Sequence, residues 1–222
     1  SINQSIIDSL TGYPCAQSIL QRLPSINAMT QSLIQNVFGV NDSVNIMFVA
    51  KTFSDTLLDG RTIEAYTNAN GILNYKIQLN TYMLNIASQD YLVATIMHES
   101  IHAYLYYKKH TLDSLTFHQQ FPLYDSTPTN MGQHLQMAAS YVQVISDVIK
   151  SFNPSLNNSV DSIYANALAW GGLEKTPAFQ NNINPSPSFI TFLNDVAKFT
   201  NQPHSQNGVS VNCSTYKYQL CP

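Results

Sequence analysis

Charged side chains are scarce in this chain of 222 residues. Asp, Glu, Lys and Arg together make up 10% of it, where about a quarter is usual for a globular protein. The net charge at pH 7 is −3, and no run of basic residues stands out. Binding to nucleic acid or to an anionic membrane surface depends on positive charge. We therefore expect no nucleic-acid partner.

Long apolar runs are also missing. No stretch approaches the roughly 20 residues that a membrane-spanning helix needs, so we expect no membrane span. The chain opens with Ser1 instead of Met and shows no signal-peptide pattern, which we interpret as a leader that has been removed or trimmed. The low charge and the 22 Asn favour a secreted, periplasmic or cell-surface protein over a cytoplasmic one.

Cysteine is rare, with only Cys15, Cys213 and Cys221 in the chain. Cys213 and Cys221 stand close together in a polar C-terminal stretch, so we expect a disulfide bond between them or from one of them to Cys15. Because three is an odd number, one thiol stays free unless it pairs with a second chain. A disulfide bond would agree with export, since the cytosol keeps thiols reduced.

The length and the 44% hydrophobic content predict one domain with a sizeable core over residues 1–222. The predicted fold class is α+β. We expect strands and one long helix over about 1–110, a helical part over about 111–205 and a tail over about 206–222.

The first part has the patterns of helices and a small sheet. Apolar residues over 15–38 recur at helical spacing, with a break expected at Pro24. Residues 43–50 are apolar with β-branched ends, which predicts a buried strand. Residues 61–80 predict a hairpin around Asn70-Gly71. Its second arm alternates apolar and polar residues, as a half-exposed antiparallel strand does.

The remainder is predicted to be mostly helical. A long helix over 88–109 begins at Ser88, a good N-cap residue. Residues 110–130 are rich in Pro and Thr and predict an irregular loop. An amphipathic helix is expected over 131–152. Shorter helices follow near 159–170 and 187–199.

The most informative segment is His-Glu-Ser-Ile-His at residues 98–102, in a chain with only six His and three Glu. Helical residues four apart differ by about 40° in direction and about 6 Å along the axis. His98 and His102 can therefore both direct a ring nitrogen at one zinc ion. Glu99 would lie beside the ion without ligating it, placed to take a proton from water and pass it to a leaving amine. The segment predicts metal-assisted hydrolysis.

The alternative for this segment is a structural helix whose two histidines make hydrogen bonds within a core. The residues around the motif, Thr95–Met97 before it and Ala103–Tyr107 after it, predict a mostly buried helix. A buried Glu99 without a function would be costly to desolvate. We therefore favour metal binding.

A catalytic zinc ion takes three protein ligands and keeps one position open. His110 is excluded as the third ligand, because it lies about 12 Å beyond His102 on a continuous helix. His134 opens the second amphipathic helix, and this rigid placement favours it. His118 and Asp125 stay open as alternatives.

Tyr141, seven residues after His134, would lie on nearly the same face of a continuous helix, two turns further on. Its hydroxyl would then be able to donate a hydrogen bond to the oxyanion of a tetrahedral intermediate. Apolar packing explains a tyrosine there equally well.

A strand, a hairpin and then the His-Glu-x-x-His helix resemble the upper half of the zincin metallopeptidases. In that family an edge strand adds the extended peptide substrate to the sheet, and the resemblance implies this role for residues 72–80. The metzincin pattern would need a histidine where Lys108 stands. A gluzincin would take its third ligand from a downstream Glu, and only Glu174 remains, in a distant, loop-like position.

The stretch HESIHAYLYY is also similar to the SprT-like zincins, whose third ligand is a downstream histidine. It further resembles a group of secreted Bacteroidetes proteins in which the motif helix is followed by His-x-x-Met-Ala and by Ala-Leu-Ala-Trp-Gly-Gly-Leu. Here these segments are His134–Ala138 and Ala167–Leu173. The resemblance covers about residues 72–175 and implies a zincin fold with His134 as third ligand. It implies no substrate, and the DNA-binding part of SprT-like proteins has no counterpart.

We therefore predict a zincin-like α+β protein with a small antiparallel or mixed sheet, an active-site helix and a C-terminal helical part. The expected activity is zinc-dependent hydrolysis of a peptide or protein substrate. Zn²⁺ would be held by His98, His102 and His134, with Glu99 as general base and then acid. Two alternatives stay open: a non-catalytic zinc-binding or interaction protein of this fold, and a zinc hydrolase of another amide, such as a cell-wall substrate.

Overall fold

The computed structural model describes residues 6–39, 42–127, 131–182, 184–199, 204–206, 209–211, 219 and 221. They form a mixed α+β fold with a small mixed sheet, which confirms the predicted fold class. The chain divides into two compact units. Unit 1 takes the described residues of Ser1–Asn85 and Thr95–Thr111, and unit 2 takes those of Ile86–Ala94 and Leu112–Pro222. That the two make up a single domain stays a prediction.

Unit 1 contains a four-stranded sheet. Its strands are β1 (Ile6–Ser9), β2 (Val44–Lys51), β3 (Gly60–Thr67) and β4 (Leu73–Asn80). The order in the sheet is β1-β2-β4-β3, with β1 and β4 parallel to β2, and β3 antiparallel to β4. The Asn68 side chain closes the β3–β4 turn by accepting the main-chain N–H groups of Asn70 and Ile72. Gly71 adopts a φ of 77° there, which glycine tolerates best. The predicted hairpin is confirmed.

The strand order corrects one expectation. β4 pairs with β2 on one side and with β3 on the other, so residues 72–80 are not an edge strand. The edge on this side of the sheet is β3. The β2–β4 pairing is parallel and non-local, and a hairpin pattern carries no information about it. β1, which forms the other edge, was not predicted, because only Ile6 and Ile7 are apolar in its four residues.

Several helical segments begin in unit 1, and one of them, the π-helical stretch, contacts the sheet. They are α1 (Pro14–Arg22), a 3₁₀ turn (Leu23–Ser25), α2 (Ala28–Thr30), the π-helical stretch (Gln31–Gly39) and α3 (Thr81–Ile86). α1 ends beside Pro24, as predicted. Phe38 meets the rings of Tyr75 on β4 and of Tyr107 at centroid distances of 5.9 and 6.0 Å. Phe38, Tyr75, Ile46 and Ile77 have no solvent exposure.

Seven helices begin in the rest of the described chain. They are α4 (Gln89–Thr111), α5 (Ser114–Gln120), α6 (Met131–Ser140), α7 (Val142–Phe152), α8 (Ser162–Ala169), α9 (Pro177–Gln180) and α10 (Pro187–Lys198). The predicted helices over 88–109, 159–170 and 187–199 correspond to α4, α8 and α10. Two short strands, β5 (His204–Gln206) and β6 (Val209–Val211), pair antiparallel.

Three features of this part differ from the sequence-based expectations. α5 lies in the predicted loop 110–130, where Asp113 caps it by accepting the main-chain N–H of Thr116 at 3.0 Å. The helix expected over 131–152 is interrupted at Tyr141, whose φ of −123° is not helical. The expected tail includes most of the β5–β6 pair. Cys15 and Cys221 are both disulfide-bonded, and Cys213 lies outside the described residues.

None of the helices in the described part of the chain combines the length and the apolar character that crossing a membrane requires.

Asp90, in the first turn of α4, is fully buried. Its Oδ2 accepts hydrogen bonds from the main-chain N–H of Gln219 at 2.8 Å and from the side-chain amide of Asn153 at 2.9 Å. Burial raises the pKa of this carboxyl to about 6, and the two hydrogen bonds oppose the rise. A carboxyl whose pKa is higher in the folded than in the unfolded state makes folding less favourable as the pH rises.

We expect the variant Asp90→Asn to gain stability relative to the wild type as the pH rises. Between about pH 4 and pH 7 the wild type should lose on the order of 2–3 kcal/mol of unfolding free energy through this carboxyl. The variant keeps an acceptor oxygen but never becomes charged. Urea denaturation of both proteins across this range measures the difference. Asp147→Asn, at an exposed position of α7, is the control. A stability difference for Asp90→Asn that does not change with pH would contradict the expectation.

Candidate metal centre

α4 carries the His-Glu-x-x-His segment and buries its three polar side chains. Ser88 caps the start of the helix as predicted, since its hydroxyl accepts the main-chain N–H of Tyr91 at 3.1 Å. His98, Glu99 and His102 are 9%, 7% and 6% exposed. The two imidazole rings have their centroids 4.9 Å apart. Helical spacing thus sets both rings side by side.

His134, on α6, is the third histidine of the group. One ligand atom from each of His98, His102 and His134 lies within 4.8 Å of the others, so the three are close enough to bind a metal ion. Within the described residues, no Cys, Asp or Glu belongs to this group.

The chemistry of the donor set fits a zinc ion. Imidazole nitrogen suits zinc and several other transition metals. Three protein ligands leave one coordination position open for water or substrate, whereas structural zinc sites fill all four positions with Cys or His. The residues present therefore fit the zinc ion that the motif predicts.

The other candidate ligands make local contacts instead. Nε2 of His118 lies 3.2 Å from a carboxylate oxygen of Asp125, and its Nδ1 lies 2.6 Å from the carbonyl oxygen of Ser114. Glu174 accepts the main-chain N–H of Gly172 at 2.9 Å. The structure therefore groups His134 with the two motif histidines and leaves these three side chains elsewhere.

Glu99 is contacted by Thr62 of β3. The Thr62 hydroxyl lies 2.7 Å from Oε2 of Glu99 and 2.8 Å from the main-chain carbonyl oxygen of the same residue. A hydroxyl has one hydrogen, so it donates to one of these oxygens at a time. Nothing in the sequence singles out Thr62, which precedes Glu99 by 37 positions. Only the packing of α4 beside β3 identifies it.

Gly60, at the start of β3, leaves the space that the Glu99 side chain fills. A Cβ atom at position 60 would lie 2.9 Å from Cγ, 3.0 Å from Oε1 and 3.1 Å from Cδ of Glu99. Contacts this short force one partner to move. Glycine at this position therefore makes room for the Glu99 side chain and does not form a turn.

Burial raises the pKa of Glu99 to about 7. Hydrogen bonds from the side chain and the main chain of Thr62 oppose this rise, and the negative charge of Asp59 adds to it. A metal cation beside the carboxyl would lower the pKa again, because an opposite charge favours the ionised form.

Tyr141 falls at the interruption between α6 and α7, and not within one continuous helix as expected. Its main-chain N–H still bonds to the carbonyl oxygen of Met137 at 2.8 Å. An oxyanion role for Tyr141 stays a prediction.

No protein-family model, curated protein or solved structure matches this chain. The likeness to zincins therefore depends on the residues of the motif and on their arrangement.

We expect Gly60→Ala to destabilise the protein by about 1–3 kcal/mol, the usual cost of overpacking. In a Glu99→Ala background the added methyl group has space. The same substitution should then be neutral or stabilising by up to about 1 kcal/mol, because alanine suits a strand better than glycine. Unfolding free energies of the four proteins in this double-mutant cycle measure the coupling. Equal effects in both backgrounds would mean that Gly60 does not accommodate Glu99.

Proposed function

We propose that this protein is a zinc-dependent hydrolase of the zincin type that cleaves peptide bonds. The observation that carries the proposal is the grouping of His98, His102 and His134 with a buried Glu99 in the same helix as the first two. A group of three histidines alone supports metal binding. The carboxyl side chain next to it supports hydrolysis, because that reaction needs a group that takes up and returns a proton.

His98, His102 and His134 would hold the zinc ion through one ring nitrogen each. When bound, zinc lowers the pKa of water to about 7 and polarises the carbonyl group of the substrate. Glu99 would accept the proton of the attacking water and deliver it to the nitrogen of the departing amine. The burial of Glu99 keeps bulk water away from its carboxyl group, which favours direct transfer between water, Glu99 and amine.

The outer edge of β3 is the best candidate for binding an extended substrate. In the described part of the chain, β3 pairs only with β4. A peptide can add to a free strand edge through main-chain hydrogen bonds. Because Thr62 of β3 contacts Glu99, a peptide bound along this strand would run beside the general base. We therefore propose β3 as the substrate strand, in place of residues 72–80.

We also propose that the protein works in an oxidising compartment, outside the cytoplasm. Cys15 and Cys221 are both disulfide-bonded, and such bonds persist where thiols are not kept reduced. The low content of charged residues supports the same location.

A non-catalytic zinc-binding protein and a hydrolase of another amide would both use the same metal group. The burial of Glu99 favours catalysis over the first alternative, because an ionisable carboxyl without a function is costly to bury. Two experiments separate the three cases.

The first experiment tests the metal ligands. After incubation with zinc and removal of the excess, the wild type should carry about one zinc ion per chain by elemental analysis. His134→Ala should bind zinc at least ~100-fold more weakly. Even the loss of a residue that only hydrogen-bonds to a metal ligand lowers metal affinity by about 10–100-fold. His118→Ala is the matched control and should retain zinc. If His134→Ala retains zinc as well, His134 is not a ligand.

The second experiment tests hydrolysis. Glu99→Gln should retain zinc and lose about 10²–10⁴-fold in kcat/KM, the usual contribution of general acid–base catalysis. The assay uses a mixed library of fluorogenic peptides, with Glu174→Gln as the control. A zinc-loaded wild type that cleaves no peptide would favour one of the two alternatives. Full activity in Glu99→Gln would exclude Glu99 as general base.

A further inference from the structure

We propose that Thr62 is a positioning residue for Glu99, and that its hydroxyl holds the carboxyl group in the orientation that proton transfer requires. The inference rests on the proposed function, in which Glu99 is the general base. It adds to that function a residue from outside the metal-binding helix. Three observations support it: the two short contacts of the hydroxyl, its place in the sheet, and the space at Gly60.

The Thr62 hydroxyl contacts Glu99 at two places, its main-chain carbonyl group and its side-chain carboxyl group. The hydroxyl lies 2.8 Å from the main-chain carbonyl oxygen and 2.7 Å from Oε2 of the carboxyl group. A glutamate side chain has several accessible rotamers, and fixing it costs conformational entropy. A hydrogen bond from a fixed hydroxyl selects one of them. Catalytic groups need such support, since a displacement of about 1 Å can cost ~100-fold in rate.

The sheet fixes the hydroxyl itself. Thr62 is paired with Ile77 of β4, and β4 lies between β3 and β2. Positions in paired strands are more rigid than positions in loops. Gly60, two residues earlier in β3, leaves space where a Cβ atom would lie 2.9 Å from Cγ of Glu99. One strand therefore supplies both the hydrogen bond and the space.

The hydroxyl can form a hydrogen bond with the carboxyl group whether or not that group carries a proton. With the carboxylate ionised, the hydroxyl of Thr62 donates to Oε2. With the carboxyl protonated, Oε2 donates to the threonine oxygen, and the threonine hydrogen turns to the carbonyl oxygen of Glu99. The proton taken from water travels through Glu99 to the amine, and Thr62 retains its own hydrogen. A hydroxyl can therefore hold Glu99 before and after the transfer, which valine cannot do.

Carboxyl-carbon NMR tests the contact directly, without metal or substrate. The chain has only three glutamates, Glu64, Glu99 and Glu174, so ¹³C labelling of the glutamate carboxyl carbon gives three side-chain signals. Glu99→Gln identifies the signal of Glu99. Thr62→Val, which keeps the shape but not the hydroxyl, should move that signal by more than its linewidth.

The controls separate the hydroxyl from other effects of mutation. Thr62→Ser keeps the hydroxyl and should leave the signal of Glu99 close to its wild-type position. Thr191→Val makes the same substitution at an exposed position of α10 and should not move the signal. If Thr62→Val does not fold, Thr62→Ala removes the hydroxyl with a smaller side chain.

Kinetics then test the catalytic role. With zinc bound and a peptide from the library as substrate, Thr62→Val should lower kcat by about 10–100-fold and leave KM nearly unchanged. Thr62→Ser should restore kcat to within about threefold of the wild type. A structural role alone would not show this rescue together with an unchanged KM.

The outcomes distinguish the two proposals. If Thr62→Val leaves the Glu99 signal in place, or lowers kcat no more than Thr191→Val does, Thr62 does not position Glu99, and the proposed function is unaffected. If the zinc-loaded wild type hydrolyses no peptide, the proposed function fails. The positioning role then fails with it, even where the signal moves.

Discussion

The burial of a glutamate in the middle of α4 is the constraint on which the candidate site depends. A carboxyl group removed from water needs polar partners and space. Thr62 provides the hydrogen bonds and Gly60 provides the space, and both belong to β3. The helix must therefore lie where β3 can reach it. The same helix carries His98 and His102, so the position that satisfies Glu99 also determines where two of the three imidazole groups lie.

Two buried carboxyl groups in α4 have different kinds of hydrogen-bond partner. Asp90, in the first turn, is held by amide donors of Asn153 and Gln219, which ties neighbouring segments of unit 2 together. Glu99, two and a half turns further on, is held by a single hydroxyl-bearing residue that can both donate and accept. Burial raises the pKa of each. Fixed amide donors suit a structural contact, whereas a hydroxyl suits a group that gains and loses a proton.

Local patterns predicted the elements whose signals lie within a few residues. The hairpin around Asn70-Gly71, the break at Pro24 and the helix that begins at Ser88 all follow from turn, proline or capping chemistry. α5 was missed because Pro and Thr in the surrounding stretch obscured the capping aspartate, Asp113. The interruption at Tyr141 was also missed, since an unbroken apolar periodicity passes through it. β1 has too few residues to show a period.

The sequence by itself determined that His98, Glu99 and His102 lie together, because their relation is the period of one helix and needs no other part of the chain. Tertiary structure decided the rest. His134 joined the group, as its place at the start of a predicted helix favoured, while the alternatives His118 and Asp125 did not. The edge of the sheet on this side is β3 and not β4, because β4 also pairs with the parallel strand β2. Thr62 and Gly60 came to Glu99 across a long separation in sequence. Such contacts depend on how elements pack, and no local period encodes them.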